Sequence, residues 1–227
     1  MNILCVGAHP DDVDIGMGGT ILTLIDQGHK VSILDLTDGE PTPKGTHEKR
    51  MAESAASSEI LGIAERITLD LENRFLEDSK EARRKVAAVI RRIKPEILFI
   101  PYWVDAHPDH IAGSNLAVAA AFTAKLTKTD IEGEPFQPKK VFSYFSSHLR
   151  LIIKPSFIMD ISKFMDKKLE ALTCYKSQFA EQDREEYLKD MIRSNGHHWG
   201  AMIKREYGEA FACREEVGLK GIEDLVI

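Results

Sequence analysis

The chain has few cysteines, no long apolar run and no excess of basic charge, and each shortage removes a class of protein. Cys5, Cys174 and Cys213, the three cysteines of 227 residues, lie far apart and form no CxxC. They provide no disulfide framework and fit a reducing compartment. No apolar stretch approaches the roughly 20 residues that a membrane span requires. Met1–Ala8 runs straight into His9, without the basic segment and long apolar segment of a secretory signal. Lys and Arg number 30 against 36 Asp and Glu, a net charge of −6, and the basic residues are scattered among acids, as in Glu81-Ala82-Arg83-Arg84-Lys85. A nucleic-acid partner usually demands a basic face. The expectation is a soluble, cytoplasmic protein with neither nucleic acid nor membrane as partner. No GxGxxG is present either. The glycines of Gly16-Met17-Gly18-Gly19 lack that spacing, and the carboxylates just before them would sit where a pyrophosphate must lie. Close helix–strand packing is the simpler reason for them.

What is there is enough for a core. At 43% hydrophobic, a chain of this length hides roughly 70% of its extended surface without staples. No internal repeat, low-complexity tract or linker divides it, so 1–227 is expected to form a single domain. Asn2–Val6 reads as a first strand and Thr20–Gln27 as a first helix, stopped by Gly28. Val31–Leu36 is a strand apolar enough to be covered on both faces. Thr46 caps a helix to Leu61, which Gly62 ends. Ile67–Leu71 is a weaker strand, Lys80–Ile93 an amphipathic helix, Ile97–Pro101 a strand and Ile111–Lys125 an alanine-rich helix. Val141–Phe145 and Phe157–Ile161 read as further strands. Ser162 is expected to cap a helix over 163–176, and Glu185–Tyr207 reads as helical with a break at Asn195-Gly196-His197-His198. Strict alternation predicts an α/β fold, a Rossmann-like, doubly wound, mostly parallel sheet with helices on both faces and extra strands and helices in the C-terminal part.

Two clusters sit where strands of this sheet end. Gly7-Ala8-His9-Pro10-Asp11-Asp12 follows the first strand, and His107-Pro108-Asp109-His110 follows Ile97–Pro101. Open α/β sheets bind ligands outside the carboxyl ends of their strands. Catalytic zinc commonly takes three nitrogen and oxygen ligands and keeps a fourth position for water. His9, Asp12 and His110 form such a set, with iron or cobalt as other possible occupants. Asp11 is left beside the ligands, placed to accept a proton from a metal-activated water. His107 is the second spare group, able as imidazolium to stabilise an oxyanion or to protonate a leaving nitrogen, with Asp109 as its expected partner. The plain alternative is that Asp11 or Asp12 caps the following helix. Two such clusters at one sheet edge are hard to explain as caps. His197 and His198, adjacent on a helix, diverge by about 100° and cannot grip one ion together. His29, His47 and His148 read as surface or structural.

These motifs, with Asp35-Leu36-Thr37-Asp38-Gly39-Glu40 and Arg50-Met51-Ala52-Glu53, resemble the LmbE-like (PIG-L) zinc deacetylases over nearly the whole chain. Lys176-Ser177-Gln178-Phe179 and Tyr207-Gly208-Glu209-Ala210-Phe211 resemble the branch containing the bacillithiol-pathway deacetylase. The resemblance implies one zinc ion per chain on His9, Asp12 and His110, with Asp11 as general base and His107 as electrostatic or acid group. It implies hydrolysis of the N-acetyl group of an N-acetylglucosamine conjugate, above all GlcNAc-malate, with diacetylchitobiose, another amide, or metal binding without catalysis as alternatives. It also implies a homo-oligomer, trimer or hexamer, and a substrate contact at Arg50, whose plain alternative is a solvated first-turn arginine. Tyr187 falls near an oxyanion-stabilising tyrosine of some members. Glu72-Asn73-Arg74 departs from the Pro-Asp-Gly or Pro-Asp-Arg usual after the third strand.

Overall fold

The computed structural model describes residues 1–146, 154–179, 182–219 and 221, so His148 lies outside the described residues. Strand β1 (Asn2–Gly7) sends successive side chains to opposite faces. Leu4 and Val6 enter one core while Ile3 and Cys5 enter another. Both faces are apolar, so both need helices. These come by alternation: α1 (Asp12–Asp26), β2 (Lys30–Asp35), α2 (His47–Leu61), β3 (Glu65–Thr68), α3 (Lys80–Ile93), β4 (Ile97–Pro101) and α4 (Pro108–Ala124). Helices α3 and α4 cover the Leu4/Val6 face, and α1 and α2 cover the other. The later elements are β5 (Lys140–Tyr144), β6 (Phe157–Asp160), α5 (Met165–Leu172), α6 (Lys176–Phe179), α7 (Gln182–Met202) and β7 (Gly208–Ala212).

The strand order is β3-β2-β1-β4-β5-β7-β6. Strands β3, β2, β1, β4 and β5 are mutually parallel, and β7 runs antiparallel between β5 and β6. The sheet is therefore the mostly parallel α/β arrangement that the alternation predicts. From β1 the chain moves outward to β2 and β3, then returns to β4 on β1's other side. That reversal opens a crevice at the carboxyl ends of β1 and β4. Both His/Asp clusters are delivered there.

Several boundaries differ from the sequence reading, each for a physical reason. Helix α1 begins at Asp12 rather than Thr20, and the glycine run lies inside it, with a break at Met17 (φ −150°, ψ 22°). The helix restarts because Glu209 of β7 accepts from the N–H groups of Gly19 (3.0 Å) and Thr20 (2.6 Å), while Lys168 Nζ holds the same carboxylate at 2.6 Å. Helix α4 likewise begins inside the HPDH motif, with Pro108 in its first turn and His107 as N-cap, its Nδ1 accepting from Asp109 N–H. Proline is favoured there because its missing donor would be unpaired anyway. Strand β3 lies two residues earlier than expected. Ser162 does not cap a helix: its hydroxyl donates to Asp160 (2.6 Å), and α5 starts at Met165. Helix α7 runs through Asn195–His198 without a break, because Gly196 packs where a Cβ would meet Met165 Cε at 2.5 Å and the Tyr207 ring at 3.1 Å. Strand β7 was invisible as a strand in Gly208-Glu209-Ala210-Phe211-Ala212. The Thr46, Gly28 and Gly62 caps, α3 and β4 stand as expected.

The glycines of α1 explain its closeness to the sheet. A Cβ on Gly16 would strike the Tyr144 ring, and one on Gly19 would lie 2.7 Å from Ile161 Cδ1 and 2.8 Å from its Cβ. Overpacking of this kind costs about 1–3 kcal/mol. Gly19→Ala is therefore expected to lower the denaturant midpoint of unfolding, despite alanine's better helix propensity. An unchanged midpoint would show that Ile161 gives way freely.

Candidate active site

Two loops meet at the crevice. After β1, a tight turn has the N–H groups of Asp11 and Asp12 donating to His9 O (3.0 and 3.3 Å), while His9 N–H donates to Asp12 Oδ2 at 2.8 Å. The turn throws His9, Asp11 and Asp12 to the same side. After β4, the first turn of α4 brings in His110. Asp12 then lies between two imidazoles: Oδ2 is 3.2 Å from His9 Nδ1 and Oδ1 is 3.1 Å from His110 Nε2. These three buried groups offer ligand atoms within 4.8 Å of one another, close enough for one metal ion to bridge. His107 stacks on His110 (centroids 4.7 Å) and meets His9 edge-on (4.9 Å).

The far nitrogen of each imidazole is also held. His9 Nε2 is 3.2 Å from Asp109 Oδ2, and His110 Nδ1 is 3.0 Å from Asp105 Oδ2 and 2.9 Å from Ser146 Oγ. Ser146 and Asp105 are themselves hydrogen-bonded. Carboxylates behind imidazoles fix the ring tautomer and raise its basicity, as in metal sites generally. The donor set therefore suits a divalent cation, with His9 Nδ1, Asp12 and His110 Nε2 inward. A second overlapping set, His9, His107 and Asp109, also lies within reach of one ion. Asp109 is already committed to the N–H groups of Arg74 (2.7 Å) and Leu76 (3.3 Å), which fits a supporting role better than a ligating one.

Charge in the cluster follows burial and neighbours. Burial alone would raise Asp12, but the facing His110 and His9 hold it well below the usual carboxylate range. Burial would lower both imidazoles, yet Asp12 and the carboxylates behind them push His9 up to about 9 and His110 to about 10. The site attracts positive charge. Burial pushes the Asp11 carboxyl up to about 6 against the pull of Arg50, whose Nη2 lies 3.2 Å from Asp11 Oδ2. Arg50 is 2% exposed, so the solvated-arginine alternative does not hold. Its Nε and Nη1 have no protein hydrogen-bond partner among the described residues, and its guanidinium lies 5.6 Å from the Tyr175 ring centroid. His107 differs from expectation. Asp109 serves His9 instead, and burial together with the nearby His110 and His9 lowers the His107 pKa. That direction favours the neutral ring over the imidazolium.

Asp11, Asp12, His9, His107 and Arg50 all line one open cleft of about 560 Å³. Tyr187, largely exposed, stands at its wall, and Asn73 and Arg74 stand at its rim, where the expected Pro-Asp pattern is replaced. His197 and His198 lie elsewhere, on exposed turns of α7 against Tyr207 and Trp199. His29 and His47 meet the N-terminal amine and Asp38.

Behind the cleft lies a buried charge network that the sequence did not reveal. Arg66 Nη2 pairs with Asp14 (2.9 Å) and Arg66 Nε with Asp35 (2.6 Å), while Ser57 and Tyr175 hydroxyls donate to Asp14 at 2.5 and 3.1 Å. Asp14 and Asp35 each stand near a motif already noticed and could have been suspected. Arg66 gave no signal. Asp105 and Ser146 were missed too, since only the fold brings Ser146 beside His110.

A mostly parallel α/β sheet with a His/Asp/His cluster and a further buried carboxylate at its switch point defines a class: α/β proteins whose strand ends gather a donor set that could hold a metal ion. The family follows from comparison. Residues 4–121 match the family model described as PIG-L, GlcNAc-PI de-N-acetylase, and the chain belongs to that PIG-L (LmbE-like) family. It is 34% identical over 222 residues to the diacetylchitobiose deacetylase of Thermococcus kodakarensis, covering 91% of this chain and 80% of that protein. A probable N-acetyl-α-D-glucosaminyl L-malate deacetylase 2 of Bacillus anthracis is 27% identical over 196 residues, covering 79% and 82%. The malate-branch likeness is thus weaker than the chitobiose one. The crystal structure of a conserved protein from Thermus thermophilus superposes with a TM-score of 0.88 at 38% identity, covering 96% of both chains.

The Arg66 network admits a direct test. Removing one partner of a buried ion pair costs about 3–5 kcal/mol because the other charge stays buried. Arg66→Ala, which strands both Asp14 and Asp35, is expected to lose that much stability in denaturant unfolding. A loss under about 1 kcal/mol, the scale of an exposed pair, would mean that the two carboxyls protonate or rehydrate.

Proposed function

We propose that the protein is a zinc-dependent N-deacetylase of N-acetylglucosamine conjugates, working as one domain in the cytoplasm. The observation that carries this reading is Asp11, a buried carboxylate held by Arg50 at the floor of an open cleft, next to three convergent donors. Pure metal storage would need neither Asp11 nor His107.

A metal on His9, Asp12 and His110 would supply polarisation of the amide carbonyl and acidification of a water. Asp11, with a pKa near 6, is mostly ionised at neutral pH yet basic enough to take the water's proton, as an effective general base must be. Arg50 Nη2, 3.2 Å from Asp11 Oδ2, steadies that carboxylate, and the Arg50 side chain forms part of the cleft lining. His107 Nδ1 is occupied by Asp109 N–H, which leaves Nε2 to carry the ring's proton. In the neutral form that group donates a hydrogen bond to the developing oxyanion. The proton taken by Asp11 then passes to the leaving nitrogen, giving the free amine and acetate.

The chitobiose relative spans more of the chain at higher identity than the malate relative. That favours diacetylchitobiose over GlcNAc-malate as substrate, and Asn73 and Arg74 at the rim are the residues placed to choose between them. Assembly into trimers or hexamers belongs to the same reading, and light scattering of the purified protein checks it.

The first experiment is amine release by zinc-loaded protein from diacetylchitobiose, GlcNAc-malate and GlcNAc. Asp11→Asn is expected to lower kcat by about 10²–10⁴-fold, the usual worth of a general base, while retaining zinc. His110→Ala is expected to lose the metal itself, read by elemental analysis. Full activity in Asp11→Asn, or full zinc content in His110→Ala, would overturn the assignment of that residue. Zinc binding without amine release from any substrate would favour the non-catalytic alternative.

A further inference from the structure

The lining of the cleft divides by chemistry as well as by element. His9, Asp11, Asp12 and His107 come from the chain just after β1 and β4. Thr42, Asn73, Arg74 and Gln178 bring hydroxyl, amide and guanidinium groups. Helices α6 and α7 bring apolar surface, as Phe179, Tyr187, Leu188 and Met191. Among these Tyr187 is 70% exposed, whereas Leu188 beside it is 7% exposed and Ile192, a little over one turn further on, 4%. Leu188 and Ile192 belong to the core that α7 shares with α5, and Phe179 and Met191 pack against it. The turn that carries Tyr187 is therefore fixed from beneath, while its ring is left to solvent and the cleft. The polar rim is held as well. Arg74 takes φ 71°, a conformation that favours glycine, and its Nη2 donates to Pro41 O at 2.6 Å, joining the loops after β2 and β3. A benzene-sized guest in a cavity of about 150 Å³ implies roughly 25 Å³ per heavy atom. On that scale the about fifteen heavy atoms of one N-acetylhexosamine fill about 375 Å³, and the cleft holds about 560 Å³. Room remains for part of a second ring, the rest of which stands in the open mouth.

We propose that Tyr187 is the stacking platform of a second sugar subsite. Its ring covers the C–H face of the pyranose adjoining the reacting N-acetylglucosamine, and so selects diacetylchitobiose over a single sugar. The proposal rests on the deacetylase reading above and deepens it. A pyranose has an apolar face of C–H groups and a belt of hydroxyls around its edge. The α6–α7 part of the lining offers aromatic surface to the face, and the Thr42, Asn73, Arg74 and Gln178 side chains offer hydrogen bonds to the belt. Mainly apolar surface with a few placed polar groups is the usual make-up of a small-molecule site. Tyrosine suits a platform because it gives a large contact area while losing little conformational freedom. The same exposure argues against an oxyanion role for its hydroxyl, which would need a water-excluded place. Exposed apolar side chains scattered singly need no explanation, but Tyr187 shares one cleft with Asp11 and His107.

The test measures amine release from diacetylchitobiose and from GlcNAc by zinc-loaded wild type, Tyr187→Phe and Tyr187→Ala. Position 187 is exposed on a helix and alanine is the best helix former, so both variants are expected to fold. Tyr187→Ala is expected to raise KM for diacetylchitobiose by about three- to tenfold, the scale of one aromatic contact. Its kcat is expected to stay within about twofold, as for a lost interaction made equally in ground and transition states. Tyr187→Phe keeps the ring and is expected to stay within about twofold in both constants. The preference for diacetylchitobiose over GlcNAc, as a ratio of kcat/KM values, falls in Tyr187→Ala by the same factor as KM rises. Where GlcNAc turns over too slowly to measure, its inhibition constant against diacetylchitobiose takes the place of its kcat/KM. A fall in kcat in Tyr187→Phe assigns the hydroxyl to the reaction and overturns the platform. Equal losses on both sugars in Tyr187→Ala, or no loss on either, overturn it too and leave the deacetylase reading standing. Should the wild type cleave neither sugar, the deacetylase reading fails on these substrates and calorimetric titration decides the subsite. Tighter binding of diacetylchitobiose than of GlcNAc, with the difference lost in Tyr187→Ala and kept in Tyr187→Phe, supports the platform. Equal binding of the two sugars by the wild type, or none, overturns it.

Discussion

The carboxylate of Asp12, shared between His9 and His110, is the interaction on which the rest of the site depends. Its two imidazoles come from loops about a hundred residues apart, carried by strands that are neighbours in the sheet. The parallel pairing of Ile3, Leu4 and Cys5 with Ile97, Leu98 and Phe99 sets the distance between them. A shift of either strand by one residue would turn its apolar side chains to the wrong faces and move one imidazole out of reach. The buried cores on both sides of β1 and β4 thus hold the register that the chemistry uses. Packing and site geometry are the same constraint viewed from two ends.

Around that carboxylate the negative charge is graded. Asp105 and Asp109 stand behind the imidazoles, anchored by backbone N–H groups and by Ser146. Asp14 and Asp35 lie deeper and share the one guanidinium of Arg66. Asp11 lines the cleft with Arg50 as its cation, and burial pushes its carboxyl up to about 6. Carboxyls whose surroundings push them apart divide into acid, base and support. Here the surroundings differ by which cation each carboxyl meets and how deep it lies.

Much of this could be read from residues alone, and the exceptions have common causes. The alternation of Val31–Leu36, Lys80–Ile93 and Ile97–Pro101 is strong because each segment has one period and clear caps, so the parallel sheet and the meeting of two clusters at its edge followed. Tertiary contacts decided the rest. Gly16, Gly19 and Gly196 look like helix breakers in sequence but are positions where a neighbour lies too close for a Cβ. Glu209 acts as a cap for α1 from 190 residues away, which no local pattern encodes. Glycine and alanine concealed β7, whose strand character comes from having β5 and β6 on either side. Asp109 was legible as a member of the cluster but not as His9's partner, because its choice depends on how the N-terminal turn of α4 sits over β1.

The turn that carries Asp11 shows how a carboxylate comes to be left facing the cleft at this position. With its N–H and that of Asp12 both drawn to His9 O, Asp11 takes φ 151°, a conformation that a residue with a Cβ adopts at a cost of about 1–3 kcal/mol. The strain accompanies a turn tight enough to place three functional side chains within four residues. As the N-cap of α1, Asp11 would ordinarily relieve such a turn by bonding its side chain to the helix N–H groups, but it makes no such bond. The carboxylate faces Arg50 and the cleft instead. A capping carboxylate would be stabilised as an anion and made less basic; one kept off the helix end, buried and answered by a single arginine, keeps its affinity for a proton. The plain reading of Asp11 as a side-chain cap therefore fails in this turn, and its carboxylate is left to the cleft and Arg50, the placement on which the proposed base role rests.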